Sequence, residues 1–328
     1  MKALKNYLKK YPRVRHCLKD IKATTFGMHW GLVKKGSLES ALTVFVYHDV
    51  SPEPAEFSRI YNLNVSPKVF DFQMRFIKDH FQVIGPDELL NDRIPERAAL
   101  ITFDDGLKGV FRFAVPVLAK HGIPALFFLN MAPIIKKEIF WSGLITYLCE
   151  KQKDFISFMQ ARGSVVSEKA PFLACSREVV QAYLEKTGLS LADEVIAFVG
   201  DFADENDLME SSEIDVIYYG NHLYNHDVAL LLAEEDLLRS YRNNEAALQG
   251  YKNYRPLFSF PFGQPSTCFL SQQVDLLMQN GAKRVFSSWP VPNRDISSPC
   301  LHRIALTDFN DTQAKVWYQI FYQELRSK

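Results

Sequence analysis

The stretch Ala99-Leu100-Ile101-Thr102-Phe103-Asp104-Asp105-Gly106 constrains this chain more than any other. A run of strand-forming apolar residues ends there in two adjacent carboxylates and a glycine. Finishing a buried strand on two charges is costly unless the charges are used. A second apolar run, Ile214-Asp215-Val216-Ile217-Tyr218-Tyr219, leads into Gly220-Asn221-His222-Leu223-Tyr224-Asn225-His226, with two imidazoles four positions apart. One carboxylate and two histidines form a metal-ligating set that leaves coordination positions for water and substrate, as a catalytic divalent site requires.

The order of elements around these stretches points to repeated strand and helix units. Ala41 to Tyr47 is β-rich and nearly unbroken, as in a strand covered on both faces, and runs into His48-Asp49-Val50. Ser66-Pro67 opens a helix with Phe70, Met74 and Ile77 on one face, Ser66 as N-cap and Pro67 at the first helical position. After Gly106 a helical pattern carries Val110, Phe113, Ala114, Val117 and Leu118 as far as His121-Gly122, with Pro116 as a kink or the true start. Ala125 to Leu129 is the next strand, completing a parallel crossover unit.

Residues 133–212 read as a helical insertion, with helices from Trp141 to Met159 and from Arg177 to Thr187 and a linker at Ala161-Arg162-Gly163-Ser164. Beyond the histidine pair come a long helix from about Val228 to Leu248, a strand from Arg255 ending in a Pro261-Phe262-Gly263 turn, and a helix near Ser271 to Asn280. Strands at Arg284 to Ser288 and Leu301 to Leu306 and a helix from Thr312 to Arg326 close the chain. Such an order implies a barrel or open sheet whose active face lies at the strands' C-terminal ends. His48, Asp104, Asp105, His222, His226 and the Pro261 turn all fall at such ends. Asp104 and Asp105 would face opposite ways in a regular strand, but Gly106 lets the backbone curl so that both approach one centre. The spacing of His222 and His226, where a helix begins, brings both rings to one side.

Composition narrows the function. Lysine plus arginine balance aspartate plus glutamate at 38 each, so no overall field favours nucleic acid. The five cysteines are scattered and suggest neither a disulfide framework nor a thiolate zinc site. The N-terminus lacks the apolar core of a signal peptide, which points to the cytoplasm. Residues 1–38 form a basic arm, in which Lys2, Lys5, Lys9, Lys10, Arg13, Arg15, Lys19 and Lys22 are opposed by Asp20 alone among interleaved apolar residues. It is read either as a solvated helix or arm or as a peripheral contact with anionic lipid at the inner face of the membrane.

Thr102 to Gly106, Gly220 to His226 and Phe258-Ser259-Phe260-Pro261-Phe262-Gly263, in that order after Tyr47-His48-Asp49-Val50 and Val65-Ser66-Pro67, resemble the NodB-like polysaccharide deacetylase family over roughly residues 40–132 and 213–306. The resemblance implies a distorted (β/α) barrel over 39–328 interrupted by the helical insertion. It also implies metal-dependent removal of an acyl group, usually acetyl, from an amino sugar in a polysaccharide, glycolipid or sugar intermediate. Carried over by motif position, Asp104 would be the general base, and Asp105, His222 and His226 would hold the metal, zinc foremost. The turn after Pro261 would line the substrate groove, with the backbone N–H of Phe262 on the oxyanion.

The third motif departs from the commoner pattern, having Ser259 and Phe262 where many members have arginine and tyrosine, as in the subgroup that reads Phe-Ala-Tyr-Pro-Tyr-Gly. Arg303 matches an arginine often found late in such chains and is the candidate to orient the base. The general acid has no clean counterpart, so His302 and His48 are both candidates, and each could equally be a structural histidine. Trp141 could stack on a sugar as a wall of the groove or be core of the insertion. The missing export signal favours an early intracellular stage of surface-polysaccharide synthesis. A non-sugar amidase or deformylase and a non-catalytic carbohydrate-binding protein on the same scaffold remain as alternatives.

Overall fold

A computed structural model describes residues 12–163 and 175–322, with side chains from Cys17 onward. β1 (Leu42–Tyr47) is followed by a short parallel ribbon of β2 (Asp49–Val50) and β3 (Asn64–Val65). Then come β4 (Gln82–Val83), β5 (Ala98–Phe103), β6 (Ala125–Leu129), β7 (Ile217–Asn221), β8 (Tyr254–Ser259), β9 (Arg284–Phe286), β10 (Cys300–Leu301) and β11 (Arg303–Ala305). Apart from the ribbon these pair in parallel as one sheet in the order β10-β9-β8-β7-β6-β5-β1-β11, with β4 alongside β5.

The two ends of that order are halves of one segment. β10 pairs with β9 and β11 pairs with β1, so residues 300–305 nearly close a (β/α) barrel. The single strand expected from Leu301 to Leu306 is therefore two, because the chain changes partner at His302. Asn293 stitches the seam. It exchanges backbone hydrogen bonds of 2.9 Å with Leu42, its Nδ2 donates to the carbonyls of Leu42 and His302, and its Oδ1 accepts the His302 N–H.

Alternation along the strands sorts two layers. Leu42, Val44, Ala98, Leu100, Leu126, Phe128, Leu257, Phe286 and Leu301 pack together as one cluster, which fills the barrel. Phe45, Tyr47, Ala99, Ile101, Phe103, Phe127 and Leu129 belong to another, under the surrounding helices. Burial on both faces is why these strands read as continuous apolar runs.

Several local expectations are corrected. Ser66 does stand at the N-cap of Pro67–His80, but its hydroxyl makes no cap bond and instead donates to Asp308 Oδ1 at 2.8 Å. After Gly106 the chain makes a π-helical turn, Val110–Ala114, before the α-helix Val115–His121. Val115 N–H reaches back five residues to Val110 O, and Pro116, which has no N–H, follows that widening rather than breaking a regular ladder. The long helix expected from Val228 is a 3₁₀ turn, Ala229–Leu231, and a helix Glu234–Leu248. The expected helix from Trp141 to Met159 is two, Trp141–Lys151 and Phe155–Ala161, and Ser164 of the expected linker lies outside the described residues.

Between β6 and β7 the helices Met131–Ile135, Ala192–Val199 and Glu205–Ser212 join Arg177–Thr187 and the pair just named. Most of their apolar side chains, Leu144, Ile145, Leu148, Phe155, Tyr183, Val195 and Phe198 among them, share one cluster with Phe57 and Leu107 from the barrel's loops. The inserted helices thus sit on the barrel's active end.

Where it is described, the basic N-terminal segment is a helix, Pro12–Val33, laid along the C-terminal helix Gln313–Tyr322. Residues 1–11, and the expected continuation of the last helix to Arg326, lie outside the described residues. Trp30 stacks on Tyr318 with ring centroids 5.5 Å apart, and Lys315 Nζ lies 2.7 Å from Asp20 Oδ1. Gly27 permits the closest approach, since a Cβ there would fall 1.7 Å from the backbone oxygen of Ala314. Gly27→Ala is expected to pry the two helices apart at a cost of about 1–3 kcal/mol. Urea denaturation should show a lower midpoint, and limited proteolysis should show faster cleavage near residue 27.

Candidate active site

β5 delivers both carboxylates. Asp104 follows Thr102 on the barrel's inner side, and Arg303 rises to it from β11. The guanidinium makes a two-pronged pair with the carboxylate, Nη1 to Oδ1 and Nη2 to Oδ2, each at 2.7 Å. Nη2 also donates to Ser259 Oγ at 2.7 Å and Nε to the Ser287 carbonyl at 3.1 Å. Both charges are buried, and a buried pair of this kind is tolerable only with such complete hydrogen bonding. Burial by itself would raise the Asp104 pKa, but Arg303, with His222 and His48 nearby, holds it below the usual carboxylate range.

Asp105 bends the other way. Its own φ is +74° and that of Gly106 is +92°, so two successive left-handed residues, not glycine alone, turn the second carboxylate back toward the axis. His222 and His226 meet it from the loop after β7. Both are buried, and their Nε2 atoms lie 3.5 and 3.1 Å from Asp105 Oδ1.

The expected helix at this point is absent: residues 222–228 are irregular, and positive φ at Leu223 (60°) and His226 (56°) does the converging. Side-chain amides brace that loop from behind. Asn130 Nδ2 donates to the carbonyls of His222 and Leu223, Asn221 Oδ1 accepts the Leu223 N–H, and Asn244 Nδ2 donates to Asn221 Oδ1 and the Leu129 carbonyl.

The donor set fits a divalent cation. His222 Nδ1 lies 2.7 Å from the Ser259 carbonyl, which can only accept, so Nδ1 donates there and Nε2 is the ring atom left to face Asp105. Asp105 Oδ1 is buried with no hydrogen-bond partner among the described residues. Burial would raise the Asp105 pKa, yet the histidines carry it well below the ordinary value, while burial pushes His226 down. Three buried groups with ligating atoms turned on one point, an acidic carboxylate and two imidazoles, are what a divalent cation would bind in place of protons. One ligand atom from each of Asp105, His222 and His226 lies within 4.8 Å of the others, the compactness such an ion needs.

The remaining residues singled out in the sequence separate clearly. His48 joins the site: its Nε2 is 3.9 Å from Asp104 Oδ2 and its side chain is a quarter exposed, between the carboxylate and solvent. The turn after Pro261 joins it through Phe262, with φ +60°, its ring centroid 4.8 Å from that of His226 and its carbonyl held by Ser288 Oγ at 2.8 Å. His302 does not join it. Leu301 and Arg303 on either side face the barrel interior, so its ring lies on the other side, where Nδ1 meets Ser287 Oγ at 2.7 Å. Trp141 begins a helix of the insertion and lines a cavity of about 310 Å³ with Tyr224, Asn225 and Asn243, the Arg177 guanidinium lying 4.5 Å from its ring centroid.

Three further residues shape the site. Ser259, noted only as a departure in the third motif, accepts Arg303 with its hydroxyl and the His222 N–H with its carbonyl. Phe140 sets its ring 4.7 Å from that of His226. Arg177 pairs with Asp227 at 2.5 Å, next to that histidine. On the opposite side Ala203 N–H donates to the Gly106 carbonyl at 2.9 Å and Lys108 N–H to Asp201 O at 2.8 Å. The insertion therefore grips the loops that carry His226 and Asp105. The sequence shows only that a hydroxyl stands at a motif position, because all of these contacts join residues far apart in the chain.

Comparison with known proteins agrees with this architecture. The sequence model of the family described as polysaccharide deacetylase matches residues 91–281. YxkH of Bacillus subtilis (strain 168), named as a candidate polysaccharide deacetylase, is 34% identical over 94 residues, which is 27% of this chain and 31% of that protein's length. IcaB from Ammonifex degensii superposes with a TM-score of 0.57 at 20% identity, over 85% of this chain and 97% of that one. The Streptococcus pyogenes deacetylase PplD, solved with acetate, gives 0.56 at 14% identity over 85% and 98%. At these identities the structural likeness establishes the barrel fold. The family match spans more than half of the chain and covers Asp104, Asp105, His222, His226 and the Pro261 turn, so the protein belongs to the polysaccharide deacetylase family.

Proposed function

We propose that the protein is a metal-dependent hydrolase that removes an N-acyl group, acetyl above all, from an amino sugar in a glycan, glycolipid or sugar intermediate. The observation that carries this reading is the pairing of a free, Arg303-held carboxylate with an adjacent three-ligand set, a base beside a Lewis-acid site. A divalent ion, zinc foremost, held by Asp105, His222 and His226 would polarise the amide carbonyl and a bound water.

Asp104 takes the proton of the attacking water as the new C–O bond forms. Arg303 keeps that carboxylate ionised and aimed, and Ser259 keeps Arg303 in place. The Phe262 turn, locked by Ser288, offers a backbone N–H to the oxyanion. As the C–N bond breaks, His48 supplies a proton to the departing nitrogen, since it lies beside Asp104 and open to solvent. His302, turned away, takes no part. Trp141 and the cavity beside it take a neighbouring sugar of the chain.

Acetate release measured over N-acetylated glycans, glycolipids, nucleotide sugars and small non-sugar amides tests the substrate class. Chelator-sensitive release from a sugar substrate is expected. Release from the small amides alone would move the assignment to a non-sugar amidase.

A further inference from the structure

The N-terminal helix Pro12–Val33 has two apolar faces and only one of them is covered. Ala23, Gly27, Trp30 and Gly31 turn toward the C-terminal helix. Leu18, Ile21, Met28 and Leu32 are exposed by 48, 59, 62 and 85% of their surface. With Thr25 between them they follow one another at steps of three or four residues, which aligns them in a single stripe about 21 Å long. Phe26 and Val33, 44 and 67% exposed, lie round the helix beyond Lys22 and His29, where the Phe26 ring packs on Trp30 with centroids 5.4 Å apart. A helix that belongs only to a folded body shows polar residues on the side away from its packing face.

Charge identifies what the stripe meets. Residues 1–38 contain ten lysines and arginines and one acid, Asp20, which is engaged by Lys315. The remaining chain carries 28 lysines and arginines against 37 acids, so a protein with no net charge is divided into a cationic end and an anionic body. An anionic surface attracts the first and repels the second, which fixes orientation as well as contact. Lys22 flanks the stripe beside Leu18 and Lys19 lies nearer the docked seam, their amino groups 5.8 Å from the Tyr322 ring centroid and 3.8 Å from that of Phe309. Among the described residues no helix is long and apolar enough to cross a membrane, so contact through this face is in-plane. Stripe-to-stripe pairing of two copies would bring two strongly cationic segments together, and nucleic acid offers nothing for exposed leucine and methionine.

We propose that the outer face of Pro12–Val33 docks the protein on an anionic lipid bilayer, the apolar stripe lying in the interfacial plane with cations at its margin. This inference makes no use of the chemistry at the metal site.

Co-sedimentation of the full, metal-loaded chain with phosphatidylcholine vesicles, with and without phosphatidylglycerol, tests it. Binding should be about tenfold or more tighter to the anionic vesicles at ~0.1 M salt and be largely lost near 1 M, where screening shortens to ~3 Å. The double substitution Met28→Glu, Leu32→Glu alters only exposed positions and should weaken vesicle binding by about tenfold or more, while the urea midpoint and acetate release from a soluble substrate stay unchanged. Failure of the wild type to bind anionic vesicles, or equal binding by the variant, would overturn the proposal. So would a wild-type dimer in gel filtration that the variant converts to monomer, because that assigns the stripe to a second copy. Absence of deacetylase activity would leave the vesicle result standing, which separates the two failures.

Discussion

Asp104→Asn is expected to lower turnover by about 10³-fold or more while metal uptake is retained. The amide has the carboxylate's shape and can still accept one N–H from Arg303, but it cannot take a proton from water at neutral pH. Asp105, His222 and His226 are untouched by the change, so the metal content after reconstitution should match the wild type. Single-turnover acetate release together with metal analysis reads both halves. Turnover near the wild-type value would remove Asp104 as the base.

Arg303→Met has the second large effect, and it acts on stability as well as rate. The arginine is 1% exposed and is held by Asp104, Ser259, Thr102 and the Ser287 carbonyl. Removing it leaves a buried carboxylate without its counter-charge, a loss of about 3–5 kcal/mol. It also removes the principal attraction that opposes burial at Asp104, so that carboxyl shifts upward and is a less available base at a given pH. The double variant Asp104→Asn, Arg303→Met should be more stable than the sum of the single losses, because neither buried charge then lacks a partner. Additive losses in urea denaturation would show that the pair is not coupled as the geometry indicates.

How much of this is legible in the sequence depends on the range of the interaction that fixes each piece. β1, β5 and β6 are readable because burial on both faces leaves a continuous apolar run, and the helix Pro67–His80 because Ser66-Pro67 and the Phe70, Met74, Ile77 face are local signals. The histidine loop misleads for the same reason. A spacing of four suits a helix, whereas the convergence of His222 and His226 is imposed by positive φ at Leu223 and His226 and by amides from Asn130 and Asn244. Asn130 reads as an ordinary polar residue past a strand and Asn244 as part of a helix.

Arg303 is legible as a late arginine that could orient the base, and Ser259, which receives it, shows the limit most clearly. The absence of an arginine from the third motif looks like a loss, yet the guanidinium arrives from β11 and the serine left in the motif receives it. Nothing within a few residues of Ser259 announces a partner 44 positions away. His302 is the converse case: it neighbours Arg303 in sequence, but one step along a strand carries its ring to the far side of the wall.

The central claim is that Asp105, His222 and His226 hold the ion on which hydrolysis by Asp104 depends. The most direct measurement is zinc stoichiometry and acetate release, determined side by side for metal-stripped wild type and His222→Ala before and after zinc is returned. The expected result is one equivalent of zinc and restored release in the wild type, with both lost in His222→Ala. Acetate release by the stripped wild type at its full rate, or zinc uptake by His222→Ala equal to the wild type, would contradict it.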